Sequence, residues 1–352
     1  MTTEEHSACA TRSASPVWTY PHSGRVAARG AFCRMRRLGD RAAGPRAVAL
    51  SFAQIHDGLY WLRFVLIRWL ERRLPVRNLY RILKPVAFTH AVFPLFKRQP
   101  PPAPVPDCLG TGKSVCPEHA NRMSWFLNRT LQYFPDELPA AKWRNCCRIV
   151  GLDHLEKARC AGHPVVLAIC HFGPYYLLQC WLHAAGYPVA ALVGATSKSH
   201  SRFRQLNDRI SPFVENPSMF FVDQLRQVNE FLAAGKFLLI TIDSDAGKQM
   251  SVPVRDGWIF QMATGAIRLA RRHQAELISC SVIDEGGWQF RIELGRPVPR
   301  EYLAAEADGI SAGKHLVEEM AVHFQACPEQ CSTALVQRFR MAHNLAGGRG
   351  RA

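Results

Sequence analysis

The chain reads as an α/β protein with a mainly parallel central sheet flanked by helices. Apolar runs of strand length alternate with helix-period segments from about residue 120 onward. Val165–Cys170 is an unbroken apolar run opening on two β-branched residues, as expected of a strand buried on both faces. A second buried strand is expected over Lys236–Ile242, ending in Asp243-Ser244-Asp245.

Taken in order, a helix is expected over roughly 119–133, and 140–150 leads into Gly151-Leu152-Asp153-His154. Strand 165–170 precedes a helix over 174–185, because Pro174 suits a first helical turn and Gly186 stops the helix. A strand over 188–193 follows, then a polar, basic stretch (Ser197–Asn207), a short strand near Met219–Val222 and a helix from Gln224 to Ala234. Gly235 caps that helix ahead of the second buried strand. Residues 262–273 read as a helix, and strands 277–283 and 287–294 meet at a Glu285-Gly286-Gly287 hairpin turn. A closing helix covers roughly 311–325.

The +16 charge is concentrated at one end: residues 1–100 hold 17 Lys/Arg against 5 Asp/Glu, the other 252 hold 27 against 23. Charge alone fits an anionic membrane surface or nucleic acid. Residues 1–45 have the Arg-, Ala-, Ser- and Gly-rich composition of a disordered tail or a transit peptide, and Glu4 and Glu5 argue against the latter. No apolar core follows the first basic residue, so no secretory signal is expected. Residues 46–98 form a basic segment around Leu59–Leu70, LYWLRFVLIRWL, whose 12 residues fall short of the ~20 that span a bilayer. Trp61, Trp69 and the arginines suit an amino-terminal membrane-interface helix, with Arg77, Arg81 and Lys84 toward anionic lipid; a helix packed on the body is the alternative. Residues 99–118, Pro- and Gly-rich, form a connector to an α/β domain over 119–340, and 341–352 read as a flexible tail.

The twelve cysteines lack CxxC spacing and read as free thiols of a reducing compartment; Cys327-x3-Cys331 has no second pair to complete a metal site. Gly110–Ser114 lacks the first glycine of a phosphate loop, position 107 being Asp. Nor does the chain contain GxSxG, HExxH or GxGxxG. Cys170 and His171 cannot form a nucleophile–base pair, since neighbours on a strand point to opposite faces. What remains is His171, between a strand end and a helix start, where open α/β sheets bind ligands.

These residues carry a resemblance. The strand running into His171-Phe172-Gly173, the segment Glu230–Asp243 (EFLAAGKFLLITID), Val252–Ala270 with Thr264-Gly265 ahead of Arg268-Leu269-Ala270, and Cys327-Pro328-Glu329-Gln330 occur in the order seen in one family. The chain resembles the late acyltransferases of lipid A biosynthesis, the lauroyl/myristoyl transferases within the lysophospholipid acyltransferase superfamily, over about residues 120–340. The resemblance implies a glycerolipid acyltransferase-like fold on the cytoplasmic face of the inner membrane, held peripherally or monotopically. It implies an acyl carrier protein or coenzyme A thioester as co-substrate, an amphiphilic lipid or glycolipid acceptor, and no cofactor or metal. His171 would take the proton of the acceptor hydroxyl, which attacks the thioester.

The superfamily's His-x4-Asp/Glu is broken here, because position 176 is tyrosine. Tyr176 can hold a tautomer but supplies no negative charge; Asp243 or Asp245 could, since parallel strands bring their carboxyl ends to one edge. Gly173-Pro174 would shape the turn and turn backbone N–H groups toward an oxyanion. Lys198, His200, Arg202 and Arg204 read either as a phosphate-binding stretch or as a solvated face, as do Lys248 and Arg255. Trp258, Phe260 and Met262 read as acyl-pocket lining or ordinary core. The leading expectation is an O-acyltransferase, and Tyr176 keeps open a lipid-binding pseudoenzyme on the same fold. A nucleic-acid binder is disfavoured, as the body is near neutral and lacks interleaved aromatic and basic positions.

Overall fold

A computed structural model describes residues 66–92, 123, 126–128, 130–131, 141–194, 219–255, 257–304 and 309–341. The expected tail (1–45), residues 59–65 of the basic helix, the connector (99–118), the stretch holding Lys198, His200, Arg202 and Arg204, and residues 342–352 lie outside the described residues.

The strands are β1 (Cys147–Val150), β2 (Val165–Ile169), β3 (Val189–Val193), β4 (Met219–Phe221), β5 (Phe237–Thr241), β6 (Gln249–Pro253), β7 (Trp258–Ala263), β8 (Glu276–Gly286), β9 (Gln289–Pro297) and β10 (Phe339–Met341). Seven form one sheet in the order β1-β9-β8-β2-β5-β3-β4. Only β8 and β9 pair antiparallel, through the expected hairpin; every other pairing in this sheet is parallel. The result is a mixed, mainly parallel sheet with helices on both faces.

The principal described helices are α1 (Val76–Val92), α2 (Ala141–Arg144), α3 (Leu152–Cys160), α4 (Leu177–Ala184), α5 (Leu225–Ala233), α6 (Gly265–His273), α7 (Arg300–Ala304), α8 (Ile310–Ala326) and α9 (Thr333–Val336). All of β2 is buried, and alternate residues feed two separate cores. Val166, Ala168 and Cys170 join α5, α6 and α8 on one side. Val165, Leu167 and Ile169 join α1, α3 and α4 on the other. The same split in β5 places Leu238 and Ile240 opposite Phe237 and Leu239. These two strands therefore occupy the middle of the sheet, and their carboxyl ends emerge side by side.

Two local expectations change. Residues 258–263 are a strand, so the helix expected from 262 starts at Gly265. The segment WIFQMA is rich in aromatic and β-branched residues, and it pairs with β6 and β10 in a second, antiparallel sheet. The β8–β9 turn is also shorter and later than the expected Glu285-Gly286-Gly287, falling on Gly287 and Trp288, both at positive φ (62° and 63°). A bulky residue is strained there. Trp288 is fully buried, its ring 5.4 Å from Tyr80 of α1 and 5.6 Å from Trp143 of α2. Burial of this indole offsets the backbone cost.

The described part of the basic amino-terminal segment has a buried side and an exposed side. Ile67, Leu79, Leu83 and Ala87 are buried in the second core, so α1 does pack on the body. Glu71 is wholly buried and held by Trp143 Nε1 (3.0 Å) and Lys142 Nζ (2.5 Å). A buried carboxylate without such partners would cost several kcal/mol. The outward face is unusual: Trp69, Ile82, Val86 and Phe88 are exposed among Arg77, Arg81 and Lys84. Among the described residues no helix is long and apolar enough to cross a membrane.

Candidate active site

The carboxyl ends of β2 and β5 bring His171 and Asp243 together. Each lies just past its strand, and the ladder continues between them through Ile242 N–H donating to the Ile169 carbonyl (2.9 Å). The His171 ring Nδ1 lies 2.8 Å from Asp243 Oδ1. The His171 main-chain N–H donates to Asp243 Oδ2 at 2.9 Å. One carboxylate thus grips a single residue at backbone and ring, which restricts the imidazole to one orientation.

Burial separates the roles of the pair. The Asp243 side chain is 0% exposed and that of His171 29% exposed. An ionised carboxylate only accepts hydrogen bonds, so the proton is assigned to Nδ1 and the Nε2 lone pair is left available. The arrangement can take a proton at Nε2 while Asp243 offsets the imidazolium charge. Of the three acidic or phenolic partners considered, Asp243 occupies Nδ1. Asp245 points its exposed carboxylate to Arg338 instead.

Tyr176 sits at the start of α4, where its ring packs on Tyr175 at 5.4 Å. The residue before it was not singled out from the sequence, yet the Tyr175 ring meets the His171 ring edge-on at 4.7 Å. The expected helix start at Pro174 is a turn, closed by Leu177 N–H to the Pro174 carbonyl (2.8 Å), and the helix begins at Leu177.

Each residue of His171-Phe172-Gly173 has a distinct task. Phe172 is buried against Phe324, 5.1 Å between ring centres, and anchors the turn in the core. Gly173 has φ +53°, and a Cβ on it would lie 2.0 Å from the Val282 carbonyl oxygen. Glycine is required by both the backbone angle and the close approach. The oxyanion role expected for this turn is corrected at Gly173, because its N–H already donates to the Gln330 carbonyl (2.9 Å). Pro174 has no N–H to offer.

Cys170 is no nucleophile. It is buried, and desolvation, followed by the charge of Asp243, pushes its thiol far above the ordinary range. Arg255 lies in the turn between β6 and β7, two residues past the end of β6, whose own run from Gln249 to Pro253 covers roughly 13 Å from the end nearer Asp243. Lys248 is exposed close to Asp243 in sequence, and its carbonyl accepts from Thr264. Phe260 and Met262 are buried in the core and Trp258 packs against it. Among the described residues no group of three or more His, Cys, Asp or Glu is placed to hold a metal.

The carboxyl-terminal residues supply what sequence reasoning left unassigned. In the sequence Pro328-Glu329-Gln330 stands only as a motif, and Arg338 carries no signal. The Gln330 amide donates from Nε2 to the Asp284 carbonyl (2.8 Å) and accepts at Oε1 from the Asp284 N–H (2.9 Å). Arg338 Nε donates to the Asp243 carbonyl at 2.9 Å. No protein-family model matches the chain, and no curated protein matches it. What the site can do therefore follows from its side-chain geometry.

Proposed function

We propose that this chain is a membrane-surface O-acyltransferase, moving a fatty acyl group from an acyl carrier protein or coenzyme A thioester to a lipid or glycolipid hydroxyl. The observation that carries this reading is the partly exposed His171 imidazole held at 2.8 Å by the buried Asp243 carboxylate, at the carboxyl edge of the sheet. His171 Nε2 takes the acceptor's hydroxyl proton as the oxygen attacks the thioester carbonyl. Collapse of the tetrahedral adduct breaks the C–S bond, and the imidazolium returns the proton to the departing sulfur. Asp243 keeps the proton of Nδ1 in place and offsets the transient cation.

The resemblance to lipid A late acyltransferases favours a lipid A precursor as acceptor and the cytoplasmic face of the inner membrane as location. The exposed apolar and basic residues on the outer face of α1 support a surface-bound enzyme meeting an amphiphilic acceptor. The missing carboxylate at position 176 keeps a lipid-binding pseudoenzyme as the second reading, and the Asp243 carboxylate beside His171, from the adjacent strand, favours the enzyme.

The test is to incubate membranes carrying the full chain with labelled acyl thioesters of coenzyme A and acyl carrier protein, beside a His171→Ala chain. Lipid-extractable label made only by the unaltered chain is the expected result. Equal label from both chains, or neither transfer nor thioester hydrolysis from either, would overturn the reading.

A further inference from the structure

The His171–Asp243 pair is formed by residues that have already left their strands, so the sheet ladder alone does not fix it. Past Ile242, Phe172 enters one core and Asp243 leads into the loop before β6. A carboxylate and an imidazole beyond their strands hold a 2.8 Å contact more firmly when both segments are also held from outside. Residues 330–341 supply that hold.

The β2 exit is held first. Phe172 and Cys331 form an isolated antiparallel bridge, with Gly173 N–H donating to the Gln330 carbonyl (2.9 Å) and Ser332 N–H to the His171 carbonyl (3.0 Å). Gln330 is itself fastened to Asp284 by its side-chain amide, as described above. The β5 exit is held eight residues further on. Arg338 donates from Nε to the Asp243 carbonyl (2.9 Å) and pairs through Nη2 with the Asp245 carboxylate. The guanidinium side chain is only 11% exposed, whereas the Asp245 side chain is 96% exposed. Its own backbone is also tied, since the Arg338 carbonyl accepts from Gln261 N–H (2.9 Å) just before β10 joins β7.

We propose that Arg338 is a positioning residue for the His171–Asp243 pair, the far jaw of a carboxyl-terminal clamp whose near jaw is Gln330–Ser332. It touches the backbone of Asp243 and not the reacting atoms. A planar guanidinium can bond the carbonyl of residue 243 and the carboxylate of residue 245 together, and so sets the direction in which Asp243 leaves β5. A lysine, with a single donor centre, reaches one of the two. The catalytic half of this inference rests on the acyl-transfer reading; the geometric half does not.

The experiment uses the full chain with nitrogen-15 labelled histidine, and compares Arg338→Gln, Arg338→Lys and the exposed control Arg340→Gln. The His171 Nδ1–H resonance, identified by its loss in His171→Asn, reports the contact with Asp243 without any need for turnover. Arg338→Gln is expected to weaken or abolish that resonance. It is also expected to lower kcat for acyl transfer about 10- to 100-fold with KM within about twofold, since a displacement near 1 Å costs on that order. Arg338→Lys should recover part of both signals, and Arg340→Gln should match the unaltered chain in both.

An Arg338→Gln chain that keeps the resonance and kcat while losing only thermal stability would overturn the proposal. If that chain does not fold, Arg338→Lys decides in its place: a full native resonance and kcat overturn the proposal, and partial loss of both supports it. Should the unaltered chain transfer no acyl group while the resonance still depends on Arg338, the acyl-transfer reading falls and the positioning role stands.

Discussion

Asp243 accepts from His171 twice, at the ring through Oδ1 (2.8 Å) and at the main chain through Oδ2 (2.9 Å). The two residues are 72 positions apart, and neighbouring parallel strands carry both to one edge. The carboxylate that reaches the His171 ring comes from the end of the neighbouring strand and not from the helix that follows the histidine.

Replacing Asp243 with Asn presents the ring with an amide that can be a donor as well as an acceptor, so Nδ1 is no longer compelled to hold the proton. By analogy with the aspartate of serine proteases, Asp243→Asn should lower kcat by roughly 10⁴-fold. Tyr176→Phe should leave kcat within about threefold, because Nδ1 is already engaged by Asp243. Steady-state assay with an acyl thioester separates the two. A larger loss from Tyr176→Phe than from Asp243→Asn would reverse the assignment.

Gly173→Ala should be among the most damaging small substitutions in the chain. The new methyl would lie 2.0 Å from the Val282 carbonyl oxygen, at a φ that L-residues avoid. Backbone strain and a backbone clash together exceed about 3 kcal/mol, which is a large part of the stability of a typical domain. Urea denaturation or soluble yield will register it. Gly186→Ala serves as the comparison, since a methyl there meets nothing within 4 Å and only the φ of +82° is unfavourable.

The outer face of α1 should bind anionic lipid. Phe88 is 60% exposed and Ile82 48%, with Arg77, Arg81 and Lys84 on the same helix. Burying a side chain of this kind in lipid contributes about 1.5–3 kcal/mol, so Ile82→Gln with Phe88→Gln should weaken vesicle binding at least about tenfold. Flotation with phosphatidylglycerol-containing and phosphatidylcholine-only vesicles measures it. Binding to both lipids alike, unaffected by salt, would assign no role to the basic residues.

His183, in the last turn of α4, should impose an acid limb on stability. Burial disfavours its charged form and lowers its pKa below the ordinary 6.5. Above about 6.5 the ring is neutral in both states and contributes nothing to the pH dependence. As pH falls from there through the lowered native value, the unfolded chain binds the proton first, and stability declines. Urea midpoints between pH 7.5 and 5 should therefore fall less steeply for His183→Gln than for the unaltered chain. Parallel curves would contradict this.

The sequence by itself determined the fold class and the position of the histidine. The runs Val165–Ile169 and Phe237–Thr241 are apolar at every position but the last threonine, so they have nowhere to go but the middle of a covered sheet. His171 follows directly from the first run, and Asp243 was legible as one of several partners because it follows the second. Tertiary structure decided between those partners, since register between strands is a long-range matter that no local pattern encodes. It likewise made residues 258–263 a strand and moved the start of the following helix from 262 to Gly265, because the pairing surface is supplied by β6 and β10 from elsewhere in the chain. The Gly173 N–H, free in a local reading, is taken by Gln330 for the same reason. Arg338 was invisible beforehand: an arginine near a chain end is ordinarily solvated, and only packing shows that it lies against the carbonyl of Asp243.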